Sequence, residues 1–524
     1  MKRVQGTLLN DFLERSANMA PEKTALICGK QRSAYARIDA AANQLANALR
    51  AHGVEKGDRI AVFLDNSPEA VISIFGIVKA GAAFVPINPQ TRSQKLCFIL
   101  NNCRAVGFVT HSKYVLLLQD VERDVPSLKF AVVCGDLKNI PQAGKKNLSM
   151  QEILETSSAT PPAPDIIDLD LAAIIYTSGT TGFPKGACFT HRAMVSATSS
   201  ITTYLKNVES DIILNVLPLS FGYGLSQVLT SSRTGATLVL EKSFAYPYQT
   251  IQVIKQEKVT GFAGVPTIFA MLLALKDVCR RDFDSVRYIT NAAAALPPRH
   301  ILQLKEMFSR AMIYSMYGVT ECTRVSYMPP DDLDKRPASV GKGIPNQETY
   351  IVDENGNRVG PEVVGELVVR GSHVMMGYWE MPEENKRALR EGRYPGERVL
   401  YTGDLFRMDN DGYLYFVSRK DDIIKSRGEK VAPTEVEHII YELPQVLEVA
   451  IVGIPDDILG EAVKAFVVLK DGMALTERDV ATHCSRRLES FMVPKHVEFV
   501  SGLPKTSSGK ICRRDLRVAS PDAV

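Results

Sequence analysis

A run of glycines and hydroxyl side chains follows an apolar segment in the first half of the chain. The apolar residues 171–176 predict a strand, and a helix is predicted to begin soon after His191. Between them lies the string Thr177-Ser178-Gly179-Thr180-Thr181-Gly182-Phe183-Pro184-Lys185-Gly186. Backbone N–H groups of such a loop can converge on phosphate oxygens. The string lacks the Gly-Lys-Ser/Thr ending of a Walker A loop. It therefore predicts a phosphate-binding loop of another kind, with a simple glycine-rich connection as the alternative.

Two charged residues further along the chain fit the sugar of a nucleotide. Asp404 follows the turn Tyr401-Thr402-Gly403, and one carboxylate can accept hydrogen bonds from both ribose hydroxyls. Arg419 can donate to the same sugar or to its phosphate. The alternative for Asp404 is a turn cap. Together with the phosphate loop, the pair indicates nucleotide binding.

Read together with later strings, the loop resembles the signature of the adenylate-forming superfamily, which comprises acyl-CoA synthetases, adenylation domains and firefly-type luciferases. The later signatures occur in the family's order and extend the resemblance over essentially the whole chain. They are Tyr317-Gly318-Val319-Thr320-Glu321, Gly365-Glu366-Leu367 with Gly377-Tyr378-Trp379, Tyr401-Thr402-Gly403-Asp404, Arg419-Lys420-Asp421-Asp422 leading to Gly428 and Pro433-Thr434-Glu435-Val436-Glu437, and Pro504-Lys505-Thr506-Ser507-Ser508-Gly509-Lys510.

The resemblance implies ATP-dependent activation of a carboxylic acid as an acyl-adenylate, with release of pyrophosphate. It implies that Lys510 bridges the carboxylate and the α-phosphate, and that Glu321 holds Mg²⁺ beside the phosphates. It also implies that Tyr317 stacks on adenine and that Thr320 contacts phosphate. The full set of implied nucleotide-binding residues is Thr177, Ser178, Gly179, Thr180, Thr181, Gly182, Lys185, Ala293, Ala294, Ala295, Tyr317, Gly318, Asp404 and Arg419. The alternatives are a solvated basic tail for Lys510, a surface carboxylate for Glu321 and a core position for Tyr317.

The resemblance also implies a hinge and a channel for the incoming thiol. Asp421 lies where the family places its hinge, about which a small C-terminal domain rotates between the two half-reactions. The loop of Ser426, Arg427 and Gly428 would then face the thiol. Many relatives have two glycines where this chain has Arg427-Gly428. Arg427 is expected to be available to a phosphate of coenzyme A.

The expected acyl pocket contains Phe221, Gly222 and Asn291. Amino-acid-activating relatives usually carry aspartate directly after the aromatic residue, where a carboxylate can pair with the substrate ammonium. Because this chain has Gly222, we expect an acid without an α-amino group. The alanines at 292–295 replace a Gly-Gly-Ala-Pro pattern, and their methyl groups favour a short, medium or compact acid. The alternative for Phe221 is an ordinary core aromatic.

Alternating strands and helices predict an α/β fold with much parallel sheet. We expect a large N-terminal multi-subdomain α/β domain over residues 1–418, closed by a small β unit beyond about Ser339. A hinge at 419–421 should lead into a small, mobile α+β C-terminal domain, 422–524, that carries Lys510.

The composition limits the partners. The formal charge is only +3 over 524 residues, so no nucleic acid is expected, and no signal peptide or membrane span is read. Nine cysteines without a CxxC pair fit a reducing, cytoplasmic compartment. The expected substrates are ATP, Mg²⁺, a small carboxylic acid and coenzyme A. A separate carrier protein as acceptor, a luciferase-like oxygenase and a non-catalytic nucleotide-binding regulator are the alternatives. The oligomeric state is left open.

Overall fold

The structure is a computed structural model that describes residues 6–137, 145–177, 184–292, 296–427, 429–456, 459–505 and 511–518. Within these ranges the helices are α1 Asp11–Met19, α2 Tyr35–Ala51, α3 Pro68–Lys79, α4 Ser93–Asn102, α5 Val115–Asp124, α6 Met150–Thr156, α7 His191–Leu205, α8 Gly222–Thr234, α9 Pro247–Glu257, α10 Pro266–Leu273, α11 Pro298–Met307, α12 Pro382–Ala388, α13 Pro433–Tyr441, α14 Glu477–Ser485 and α15 Arg513–Val518.

The strands of the same ranges are β1 Thr24–Cys28, β2 Gln31–Ala34, β3 Arg59–Val62, β4 Ala83–Pro86, β5 Gly107–His111, β6 Phe130–Cys134, β7 Lys146–Ser149, β8 Leu171–Thr177, β9 Lys185–Thr190, β10 Ile212–Asn215, β11 Thr237–Leu240, β12 Gly261–Gly264, β13 Tyr288–Asn291, β14 Met312–Tyr317, β15 Ser326–Tyr327, β16 Lys342–Gly343, β17 Gln347–Val352, β18 Gly365–Gly371, β19 Gly377–Tyr378, β20 Leu389–Glu391, β21 Arg398–Met408, β22 Leu414–Arg419, β23 Ile424–Ser426, β24 Glu429–Val431, β25 Val446–Asp456, β26 Gly460–Leu469 and β27 His496–Phe499.

Two large sheets form the body of the fold. One has nine strands in the order β16-β15-β14-β13-β12-β10-β11-β1-β2, and the other has eight in the order β19-β9-β8-β4-β3-β5-β6-β7. The inner pairs of both sheets are parallel, for example β12 with β13 and β3 with β4. Helices connect these parallel strands, as parallel pairing requires. The predicted α/β class with much parallel sheet is confirmed.

Local sequence signals account for the elements around α3. Ser67 Oγ accepts from Ala70 N at 3.3 Å, and Pro68 begins the helix. The helix packs against α2 so closely that a Cβ on Gly76 would lie 2.9 Å from Leu45 Cδ2. At its end, Lys79 is only 1% exposed and pairs with Asp39 at 2.8 Å and Glu14 at 3.0 Å. The two carboxylates make this buried cation tolerable within the core.

Two smaller five-stranded sheets follow. The first contains β17, β18, β20, β21 and β22, all antiparallel, and is the predicted small β unit. The second contains β23 to β27 and carries α13 to α15 beside it. The change from one sheet to the other falls between Arg419, the last residue of β22, and Ile424, the first of β23. The domain bounds 1–418, 419–421 and 422–524 remain a prediction.

The described residues also bear on two further expectations. None of their helices has the length and apolar character that a membrane crossing requires. All nine cysteines are free, as expected for a chain without a disulfide framework.

Candidate active site

The phosphate loop joins two antiparallel strands. Thr177 ends β8, Lys185 begins β9, and the two residues are paired in register. Helix α7 begins only at His191, after the whole of β9, so the loop does not lead directly into a helix N-terminus. Residues 178–183 lie outside the described ranges, and with them the predicted Ser178, Gly179, Thr180, Thr181 and Gly182. Also outside are Ala293, Ala294, Ala295, Gly428 and Lys510.

Lys185 and Glu321 meet around Tyr378, to which the sequence had assigned no role. Strand β19 pairs with β9 and places the Tyr378 ring 5.5 Å from Lys185 Nζ. The Tyr378 hydroxyl donates to Glu321 Oε1 at 2.6 Å. Burial, followed by the negative charge of Glu321, raises the pKa of Tyr378 and keeps the hydroxyl a neutral donor. Lys185 itself pairs with Glu384 of α12.

Glu321 lies in a tight loop. Thr320 and Glu321 belong to the 3-10 helix Thr320–Cys322, which follows β14 directly. Gly318 is required there because a Cβ would lie 2.8 Å from Thr323 O. Thr323 has φ 64°, and Arg324 N donates to Cys322 O at 2.6 Å across it. The backbone carbonyl of Glu321 accepts from Met375 N at 2.8 Å. These constraints hold the carboxylate beside Tyr378.

The described residues contain no cluster of three or more His, Cys, Asp or Glu side chains that could hold a metal ion alone. Magnesium commonly uses one or two carboxylates and completes its octahedron with substrate phosphates and water. A single carboxylate close to Lys185, at the end of the predicted phosphate loop, therefore fits Mg²⁺ that arrives with ATP. Glu321 is the residue that would contact it.

Tyr317, Asp404 and Arg419, three of the implied nucleotide-binding residues, lie together in the structure. Asp404 is 4% exposed and accepts from the Tyr317 hydroxyl at 2.5 Å through Oδ2. Its Oδ1 lies 2.9 Å from Arg419 Nε. Asp404 raises the pKa of Arg419, and burial together with the same carboxylate raises the pKa of Tyr317. The three side chains thus form one hydrogen-bonded cluster with a carboxylate at its centre.

The β21–β22 hairpin places this cluster. Asp404 and Arg419 are register partners, and β22 carries one extra residue, Val417, because Leu405 pairs with Ser418 and Phe406 with Phe416. This bulge sets the face on which Arg419 lies. Asp404 is further fixed by its N–H, which donates to Thr402 Oγ1 at 3.2 Å.

The predicted acyl residues lie at the ends of two neighbouring elements. Phe221 immediately precedes α8, and a Cβ on Gly222 would meet nothing within 4 Å. Asn291 is buried at the carboxyl end of β13. Tyr223 links the two elements, because its hydroxyl donates to the carbonyl oxygen of Thr290 at 2.9 Å. The structure therefore brings Phe221, Gly222 and Asn291 to one region beside open space.

The hinge and thiol residues follow β22. Asp421 lies in the 3-10 helix Lys420–Asp422. Its neighbour Asp422 forms ion pairs with Arg513 at 3.5 Å and Arg517 at 3.4 Å, both on α15. Ser426 and Glu429 are partners of a hairpin, with buried Ser426 on one side of the turn and Arg427 in it at φ 56°. Arg427 thus adopts the left-handed backbone that glycine provides at lower cost in relatives.

Comparison with known proteins agrees with this geometry. Residues 13–379 match the family model described as AMP-binding enzyme, and residues 435–510 match the AMP-binding enzyme C-terminal domain. A long-chain-fatty-acid–CoA ligase of Bacillus subtilis is 31% identical over 97% of this chain and 94% of its own length. An indoleacetate–CoA ligase of Aromatoleum aromaticum is 32% identical over 97% of both chains.

Among solved structures, an anthranilate CoA ligase in complex with anthranoyl-AMP superposes with a TM-score of 0.88. It has 32% sequence identity and covers 98% of this chain and 97% of its own. That structure holds an acyl-adenylate, the intermediate that the ordered signatures imply. The chain therefore belongs to the adenylate-forming superfamily of AMP-binding enzymes and is an AMP-forming acid–thiol ligase of the acyl-CoA ligase type.

Proposed function

We propose that the enzyme joins ATP to a carboxylic acid that lacks an α-amino group and then passes the acyl group to coenzyme A. In the first half-reaction a carboxylate oxygen attacks the α-phosphorus, and pyrophosphate leaves with the electrons of the broken P–O bond. In the second, the thiol of coenzyme A attacks the acyl carbon, loses its proton and displaces AMP. The observation that carries the proposal is the buried Asp404 carboxylate held between Tyr317 and Arg419.

The cluster suits the ribose of ATP. Asp404 accepts from the Tyr317 hydroxyl and is paired with Arg419, and a carboxylate is a group that can accept from both ribose hydroxyls. Because Tyr317 and Arg419 pre-orient the carboxylate, little ordering is left to the moment of binding. We assign adenine stacking to Tyr317 and phosphate contacts to Thr320 and Lys185.

Charge repulsion is the main obstacle to the first step, since two anions must approach each other. Mg²⁺ supplies neutralisation of phosphate charge when bound, and Glu321 would hold it. Tyr378 keeps the Glu321 carboxylate pointed in one direction by its hydrogen bond. Lys510 would supply the second cation, between the substrate carboxylate and the α-phosphate.

The ion pairs beside the hinge support movement of the C-terminal part as one piece. The bridge between Lys505 and Ile511 flanks the segment that contains Lys510. Arg513, three residues after Lys510, donates to both carboxylate oxygens of Glu437 on α13 at 2.8 and 2.9 Å and pairs with Asp422. A change of dihedrals at Asp421 would therefore carry α13, α15 and Lys510 together. Such a rotation would withdraw Lys510 from the active site and bring the Ser426–Arg427 turn to it.

Coenzyme A is favoured over a carrier protein because the full-length relatives reported above are CoA ligases. The absence of an α-amino group rests on Gly222, where no carboxylate is available to pair with an ammonium. Free cysteines and the lack of a described membrane-crossing helix are compatible with the expected cytoplasmic location.

The test is pyrophosphate release with ATP and Mg²⁺ over fatty, aryl, dicarboxylic and amino acids, each with and without coenzyme A. Acid-dependent release accompanied by acyl-CoA is expected, and omission of Mg²⁺ should abolish both. Release without a CoA thioester would instead indicate a carrier protein as acceptor. Preferential activation of a free α-amino acid would overturn the assignment based on Gly222. ATP binding without release for any acid would favour a non-catalytic regulator.

A further inference from the structure

Arg324 is a buried cation that no carboxylate of the described residues neutralises. It follows the 3-10 helix Thr320–Cys322 and is only 2% exposed. Among the described residues no acceptor lies within hydrogen-bonding distance of its Nε, and no carboxylate forms an ion pair with it. A buried charge is costly unless it is paired, so this arrangement requires a reason.

The neighbours of Arg324 are neutral. Its guanidinium carbon lies 5.0 Å from the centre of the Tyr223 ring, a cation–π contact. The Tyr204 hydroxyl is also close and donates to Met316 Sδ at 3.0 Å. Burial raises the pKa of Tyr204 to about 12, and the charge of Arg324 and a hydrogen bond from it oppose that rise. These aromatic groups attract the cation, but they leave its charge uncompensated.

Elsewhere in the described fold, buried lysines are neutralised. Lys79, 1% exposed, has two carboxylates within 3.0 Å, and Lys464, 5% exposed, has Glu498 at 2.9 Å. The chain thus supplies carboxylates where a buried cation serves the fold. The lack of one at Arg324 points to a charge that arrives from outside.

Arg324 lies beside the proposed acyl region. The Tyr223 ring that it contacts is 6.3 Å from the Phe221 ring in an edge-to-face arrangement. Tyr223 also bonds to Thr290, the neighbour of Asn291. Along the chain, Arg324 follows Thr320 by four residues. The guanidinium therefore lies near the acyl residues, and Arg324 is close in sequence to the loop assigned to phosphate and metal.

We propose that Arg324 determines substrate specificity by pairing with a second carboxylate of the acid, so that the preferred substrate is a compact dicarboxylic acid. This inference rests on the proposed ligase function. One carboxylate would be activated beside Thr320 and Glu321, and the other would bind the guanidinium fork through two parallel hydrogen bonds. The short path between the two sites along the loop favours a compact spacer between the carboxylates.

The test compares matched acids on the wild type and on Arg324→Met, which removes the charge with little loss of volume. ATP-dependent pyrophosphate release is measured for glutarate against pentanoate and for phthalate against benzoate. In whichever of the two pairs contains the better substrate, the wild type is expected to prefer the diacid by about 100-fold in kcat/KM. This is the size of effect expected for a desolvated charge pair. Arg324→Met should lose about 100-fold on that diacid while the mono-acid is unchanged or improved. Arg324→Lys, which keeps the charge but not the fork, should recover part of the loss.

A denaturation midpoint separates this role from a structural one. Because its charge is uncompensated, Arg324→Met should unfold at the same or a higher denaturant concentration than the wild type, whereas Lys79→Met should unfold at a lower one. A wild type that prefers mono-acids would overturn the proposal, as would a variant that loses both acids equally together with stability. If the wild type releases no pyrophosphate with any acid, the ligase proposal fails instead. Calorimetric binding of glutarate to wild type and to Arg324→Met then decides the role of Arg324, with equal affinity counting against it.

Discussion

Lys79 and Arg324 are both buried cations, but they lie in opposite electrostatic surroundings. Lys79 pairs with the carboxylates of Asp39 and Glu14, whereas Arg324 lies over the Tyr223 ring and has no ion pair with a carboxylate of the described residues. Burial alone therefore does not distinguish a structural charge from one that serves a ligand. For these two cations the difference lies in the internal counter-charge, because burial of an unpaired charge is costly.

The largest effect is expected for Lys510, the cation that should act only on the reacting atoms. Lys510→Ala should fold normally but lose adenylation by roughly 10²- to 10³-fold, as removal of one preorganised charge does. Single-turnover formation of acyl-AMP measures this step. Lys505→Ala is the matched control, because Lys505 belongs to the same motif but pairs with Glu448 at 2.6 Å. Near-normal adenylation by Lys510→Ala would show that Lys510 is not a catalytic residue.

Lys79→Met tests whether the buried, paired cation Lys79 stabilises the fold. Without the ammonium, Asp39 and Glu14 remain partly buried and unpaired, so the free energy of unfolding should fall by about 3 kcal/mol. Urea denaturation gives this quantity, and the activity of the folded fraction should be unchanged. Lys113→Met, at a surface pair with Asp65, should cost less than about 1 kcal/mol. If Lys79→Met and Lys113→Met lowered the free energy of unfolding equally, the buried ion pair would not be more important for stability than the surface pair.

Asp404→Asn alters the cluster of Tyr317, Asp404 and Arg419, which we assign to the ribose of ATP. Unlike Arg324, the charge of Asp404 has an internal partner, Arg419. The amide keeps the shape but loses a charge-assisted acceptor, so the KM for ATP should rise about 30-fold, equivalent to about 2 kcal/mol. Initial rates at varied ATP provide the measurement. Asp411→Asn, in the exposed turn of the same hairpin, should leave this KM unchanged. A KM below threefold of the wild type would exclude Asp404 from the ribose site.

A smaller effect, confined to one half-reaction, is expected at the hinge. Asp421→Pro fixes one φ angle and should slow thioester formation about tenfold while adenylation continues. Acyl-AMP and acyl-CoA are followed in the same quenched samples. Asp421→Ala, which leaves the backbone free, should behave like the wild type. Equal slowing of both steps by the proline variant would argue against rotation at this residue.

Much of this organisation could be predicted from the sequence. Ser67 followed by Pro68, and Thr476 followed by Asp479, are sequence signals for the start of a helix, and the structure has the capping hydrogen bonds at both places. Tyr317, Asp404 and Arg419 could be assigned to one nucleotide site because each lies in a distinctive motif, but the hydrogen bonds that join them could not be predicted. The connection after β8 differs from the prediction, because strand β9 lies between the loop and α7. A short apolar run does not specify whether the chain continues as a hairpin or as a helix.

The contacts that sequence reasoning missed join distant segments. Tyr378 reaches Glu321 across 57 residues, and Glu384 reaches Lys185 across 199. Tyr378 did carry a signal, because it lies in a recognised signature. Arg324 carried none beyond its place shortly after Glu321, and only its burial without a carboxylate makes it informative.

The extra residue in β22 has a consequence for how this gene can change. Because side chains alternate across a strand, deletion of Val417 would turn Ser418 and Arg419 to the opposite faces. The hairpin could then form a regular ladder of hydrogen bonds, but Arg419 would no longer pair with Asp404. A deletion that improves the regularity of the sheet would thus remove an ion pair of the proposed ribose site. Natural variation at this point should therefore consist of substitutions and not of changes in length.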